Sequence, residues 1–72
     1  MTPPRAPKTL MLTERERDCM RLVAMGKPDT EIAHRLGIAN STVKYYIDSA
    51  RHKLTARNRA HAVAMLLSRG PI

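Results

Sequence analysis

Apolar residues recur at steps of three and four along most of this chain, and polar punctuation divides them into four blocks. Thr13 precedes "ERERDCMRLVAM", where Cys19, Met20 and Val23 fall on one stripe with Glu16 on the same side. Thr13 as N-cap with Glu16 three residues later makes a capping box, the first turn is acidic, and Gly26 stops the run, which predicts a helix over 13–25. Lys27-Pro28 breaks the chain. Asp29 is then placed to cap a second helix over 29–36, with Ile32, Ala33 and Leu36 on one face and Gly37 as its end. A third helix is predicted over 40–54, capped by Asn40 or by the Ala39 backbone followed by Ser41. Its inner stripe is Val43, Tyr46, Ile47, Ala50 and Leu54. Asn58 caps a last helix over 58–69, stopped by Gly70-Pro71. Phe and Trp are absent and the β-branched residues are scattered, so no strand competes and the fold class is all-α.

The second and third predicted helices have the spacing of a helix-turn-helix, in which a short helix braces another that enters the DNA major groove. Ala33 is small where the two axes must approach. Gly37, four residues on, can take the left-handed turn, and Val43, six further, fills the angle between the helices. Ile32, Leu36, Ile38 and Tyr46 supply the remaining apolar contacts. The first nine residues hold three of the five prolines and no apolar period, which reads as a flexible tail or linker over 1–9 before a domain over 10–72. At 72 residues the chain holds one small domain without room for a deep site.

Charge narrows the partner. Thirteen Lys+Arg oppose six Asp+Glu, a net +7, which favours a polyanion. Residues 37–72 carry six of those bases and Asp48 as their single acid, so the contact surface is expected in the second half. A single cysteine, Cys19, excludes an internal disulfide and a Cys-based zinc site and is expected as a small buried hydrophobe. His34, His52 and His61 lack metal spacing, so neither metal nor cofactor is expected. No apolar run is long enough for a signal or spanning segment, which places the expected setting in the cytoplasm, at the nucleoid, with no membrane role. Ser49, Asp48 and His52 are close in sequence but have no pocket in so small a bundle, and no enzymatic activity is expected.

With the inner stripe of the third helix turned to the core, the outer face carries Ser41, Lys44, Tyr45, Asp48 and His52. A lysine reaches a guanine edge or a phosphate, a tyrosine offers its ring to a thymine methyl, and a carboxylate accepts from a cytosine amino group. Thr42 and Ser49 flank this face as phosphate contacts. Arg51, Lys53, Arg57 and Arg59 read as a phosphate-anchoring cluster, whereas Arg15, Arg17 and Arg21 alternate with Glu14, Glu16 and Asp18 as helix-surface pairs. In the last helix the apolar surface is broader than one packed side needs. Ala60, Ala64 and Leu67 are the candidates for a two-fold contact that sets two reading helices about 34 Å apart.

The segments "LTERERDCMRLVAMGK", "EIAHRLGIANSTVKYYIDSARHKL" and "RNRAHAVAMLLSRG" together resemble the DNA-binding domain of LuxR/FixJ/NarL-type (GerE-like) transcription regulators over about residues 10–72. "YYIDSARHKL" is nearer the autoinducer-responsive, quorum-sensing branch. The resemblance implies an output domain, joined by a linker to a regulatory domain, that binds a palindromic operator as a dimer through its last helix, with RNA polymerase as a further candidate partner. It puts base reading on Lys44, Tyr45 and Asp48, and phosphate contact on Thr42 and the bases near Lys53 and Arg57; with the face analysis above, Ser41, Ser49 and His52 complete the phosphate set. The chain departs from the family at Pro28 and Ala39, where Ser caps are common, at Tyr46, often His, and at Asp48, often basic or polar. An excised output domain and a free-standing small regulator both fit this length, and an ending just after the last helix suits a full-length member's C-terminus. A second function remains open at this point: an interaction module that pairs with a full-length regulator through its last helix.

Overall fold

The computed structural model describes residues 11–72, so the expected tail over 1–9 lies outside the described residues. Four helices follow in order: α1 Glu14–Ala24, α2 Asp29–Leu36, α3 Asn40–Leu54 and α4 Arg59–Leu67. No strand occurs among the described residues, and the all-α, four-helix class is the one the hydrophobic spacing predicts.

Local chemistry sets most boundaries. At α1 the Thr13 hydroxyl accepts from the Glu16 amide at 3.2 Å and the Glu16 carboxylate accepts from the Thr13 amide at 2.7 Å, so two orphan donors of the first turn are satisfied reciprocally. Gly37 closes α2 in the left-handed conformation, φ 66° and ψ 38°, and the Ile38 amide turns back onto the Ala33 carbonyl at 3.0 Å, which satisfies the helix end. Asn58 caps α4 by accepting from the His61 amide at 2.8 Å.

Two sequence expectations need correction, the cap of α2 and the end of α4, and one open alternative is decided. Pro28, not Asp29, is the N-cap of α2, and it makes no side-chain cap bond. Asp29 is the first helical residue, and its carboxylate is taken by Arg59; a charge-assisted fork outcompetes a single backbone bond. Of the two caps open for α3, the Ala39 backbone is the one used, again with no side-chain bond. Helix α4 ends at Leu67 rather than 69, because the amides of Arg69 and Gly70 bond three residues back, to Leu66 and Leu67, in a tighter final turn.

Helix α3 is the centre of the bundle and packs against α1, α2 and α4; α2 and α4 do not pack on each other. The core is Cys19 and Met20 from α1, Ile32 and Ala33 from α2, and Val43, Ile47, Ala50 and Leu54 from α3, closed by Ala56 and Ala62. Each large aliphatic side chain removed from water this way contributes about 1.5–3 kcal/mol. Tyr46 is only half-buried, at the rim of the stripe that the spacing assigned to it. The Cys19 thiol is fully enclosed, and that burial, helped by Asp18, pushes its pKa up, which suits an inert core residue.

Candidate nucleic-acid interface

The inner positions of α3 leave one long face uncovered. Ser41, Lys44, Tyr45, Asp48 and His52 are exposed, and Thr42 and Ser49 flank them half-buried. Lys44 forms no ion pair among the described residues. Tyr45 is 67% exposed, which leaves its ring and hydroxyl free for a ligand. It also meets Tyr46 edge to face, with ring centroids 5.7 Å apart. The half-buried Tyr46 thereby orients the exposed ring.

Asp48 is the one acid on this face. Its carboxylate lies 3.9 Å from the Arg51 guanidinium, a loose pair that leaves oxygen lone pairs open to another donor. Arg51 itself is divided among neighbours. It donates to the Ala56 carbonyl at 3.3 Å and sits 3.3 Å from the His52 ring, so much of it serves the turn after α3.

The basic cluster has partners that the sequence reading did not foresee. Lys53 donates to the Glu16 carboxylate at 2.7 Å and to the Met11 carbonyl at 3.3 Å. Arg59 forms a fork on Asp29, at 2.7 and 3.2 Å. Arg57 alone of the four is exposed with no side-chain partner among the described residues; its backbone amide donates to the His61 ring. Arg51, Lys53 and Arg59 thus have partners within the fold, which a run of basic residues could not reveal.

Glu16 is 3% exposed. Burial alone would push its carboxyl pKa up, but donation from Lys53 and the Thr13 amide, with the polar Ser49 and Thr13 side chains nearby, outweighs that and leaves it lowered. Asp29 is lowered chiefly by the Arg59 fork against an opposing effect of burial, with the charges of Arg59 and Lys44 adding to it. Among the described residues no three His, Cys, Asp or Glu side chains come together to hold a metal ion. A groove of about 230 Å³ lies between the start of α1 and the turn after α4, away from the α3 face.

A short helix bracing a longer one, joined by a glycine turn and covered by two more helices, is also what comparison with known proteins finds. The family described as "Bacterial regulatory proteins, luxR family" matches residues 10–66. The chain belongs to the luxR family. This luxR-family domain is 52% identical over 62 residues to VjbR of Brucella ovis, an HTH-type quorum sensing-dependent transcriptional regulator, covering 86% of the chain and 24% of VjbR. It is 43% identical over 51 residues to the nitrate/nitrite response regulator NarL of Escherichia coli, covering 71% of the chain and 24% of NarL. The solved structure of the transcription factor GerE superimposes with a TM-score of 0.79 at 30% identity, over 92% of each chain. The luxR-family domain thus spans about a quarter of the length of VjbR and NarL. It is a helix-turn-helix domain of transcriptional regulators, a class that binds DNA and is not an enzyme family. No helix among the described residues is long and apolar enough to cross a membrane.

Proposed function

We propose that this domain binds double-stranded DNA sequence-specifically, with α3 in the major groove and two copies on a palindromic operator, as the output domain of a bacterial transcriptional regulator. The observation that carries the reading is the outer face of α3. Lys44, Tyr45 and Asp48 stand exposed on a helix whose other side is locked into the core. Lys44 and Asp48 make opposite hydrogen-bonding demands, a donor for guanine N7 and O6 and an acceptor for the cytosine amino group, so together they discriminate base steps that charge alone would not. Ser41, Thr42, Ser49, His52 and Arg57 border the face as phosphate contacts. Lys53 spends two of its three donors on Glu16 and the Met11 carbonyl, which leaves the third for a phosphate.

Ala60, Ala64 and Leu67 lie together on the exposed side of α4, and we place the two-fold contact there. Small residues let helix axes approach closely, and Leu67, 53% exposed, supplies the apolar area. The same face supports a second reading, in which the chain pairs with a full-length regulator and modulates it.

Titration against random duplex and against an enriched palindromic pool, at several salt concentrations, separates the two. The first reading expects two chains per palindrome, a clear preference over random duplex, and a slope of log affinity on log salt of about −5, as roughly six phosphate contacts give. Equal, monomeric binding to every sequence refutes it and leaves the interaction module.

A further inference from the structure

Two helices that matter for different reasons meet only through side chains. Helix α2 braces the reading helix, and α4 carries the proposed dimer contact, yet they do not pack on each other. Among the described residues one hydrogen-bonded link joins them: the fork from Arg59, the first residue of α4, to Asp29, the first residue of α2, at 2.7 and 3.2 Å. The charge of Lys44, on the reading face, adds a small part to the lowering of the Asp29 carboxyl.

The rest of the seating of α4 is apolar packing on α3 and α1. Its one fully buried side chain is Ala62, with Val63, Met65 and Leu66 half-buried around the core. Apolar contacts of this kind are non-directional and define the rotation of a helix poorly when the keyed side chain is a methyl group. A bidentate guanidinium–carboxylate pair is directional, since two parallel bonds fix a plane as well as a distance. Arg59 also stands at a helix N-terminus, where a positive charge is unfavourable against the helix dipole. Asp29 offsets that charge, which gives the fork a reason to persist in the free domain.

We propose that the Asp29–Arg59 fork is the strut that fixes the angle between the dimer helix and the reading head, and so sets the half-site spacing this domain accepts. The inference rests on the dimeric reading above. The lever is long enough for the angle to matter. A rotation of about 10° at α4, carried over about 17 Å, half the distance between paired reading helices, moves α3 by about 3 Å, close to one base-pair step of roughly 3.4 Å. Asp29 and Arg59 are positioning residues in this account, since neither needs to touch DNA.

The test measures binding to duplexes carrying two inverted half-sites whose separation is changed one base pair at a time, for wild type, Asp29→Asn, Arg59→Gln and the exchange Asp29→Arg with Arg59→Asp. Wild type is expected to prefer one spacing by about tenfold or more, and each single variant to lower that ratio to about threefold or less, whatever shift in overall half-site affinity the changed charge brings. The exchange, which rebuilds the pair in reverse, is expected to restore the preference. The ratio between spacings is insensitive to the general gain in affinity from removing an acid. Preservation of the preference in both single variants overturns the proposal, as does failure of the folded exchange variant to restore it; if a single variant does not fold, the exchange decides. A wild-type domain that binds as a monomer, with no preferred spacing, overturns the dimeric reading and this one with it.

Discussion

Replacing Glu16 by alanine tests how the reading helix is anchored. Glu16 sits at the start of α1, 3% exposed, with Lys53 from the last turn of α3 at 2.7 Å and the Thr13 amide at 2.7 Å. Removing one partner of a buried pair costs about 3–5 kcal/mol because the survivor is left desolvated. Here Lys53 retains 23% of its side-chain exposure, so partial rehydration reduces that to about 2 kcal/mol, to which loss of the capping interaction adds about 1 kcal/mol. A total near 3 kcal/mol is a large share of the roughly 7 kcal/mol expected for a domain of this length, and at about 4–8 °C per kcal/mol it lowers Tm by roughly 12–24 °C. Thermal unfolding followed by circular dichroism measures it, with Glu16→Gln as the companion variant that keeps an acceptor for Thr13 and is expected to lose about half as much. The pH dependence gives an independent reading. Because the folded carboxyl titrates below its ordinary value, its contribution is fully present above the unfolded pKa and is lost as pH falls through the folded one, so Glu16→Gln should flatten the acid limb of stability. A Glu16→Ala drop of less than about 5 °C, or an unchanged acid limb in Glu16→Gln, would refute this account of the anchor.

Lys44→Ala is expected to weaken binding to a selected operator by about tenfold or more at fixed salt while leaving Tm unchanged, because the proposal puts this side chain, which has no ion pair among the described residues, on the bases; fluorescence anisotropy and thermal unfolding check both halves. Thr55 closes α3 at φ 55° and ψ 39°, left-handed backbone that a β-branched residue occupies at a cost, so Thr55→Gly should raise stability by about 1 kcal/mol in a denaturant titration. Leu67→Glu places a charge on the proposed two-fold contact and should convert two-chain occupancy of a palindrome to one-chain occupancy of each half-site, read by sedimentation with labelled duplex.

The parts of this structure legible in the sequence are those governed by neighbours along the chain. The capping box at Thr13 and Glu16, the left-handed Gly37 and the three-and-four spacing of Val43, Ile47, Ala50 and Leu54 all act within one or two turns of helix, and all four helices stand where that spacing puts them. The reading fails where a side chain has a choice of distant partners. Lys53 and Glu16 are 37 residues apart, and Arg59 and Asp29 are 30 apart; nothing in the local pattern distinguishes a base that braces the fold from one that awaits phosphate. Buried Glu16 gave a faint signal, as an acid on an otherwise apolar stripe that must find a donor. Asp29 misled for a related reason, since an acid next to a helix start fits a cap and an ion pair equally well.

The division of labour within α3 has an evolutionary meaning. Every residue that the bundle needs from this helix points inward, and the outer residues Ser41, Lys44, Tyr45 and Asp48 are exposed. Exchanges at such exposed positions usually change stability by no more than about 0.5 kcal/mol, so the proposed reading face can drift or be redrawn while the scaffold stays where it is. One fold of this size can therefore diversify into regulators with unrelated operators through a handful of codon changes on one helix face.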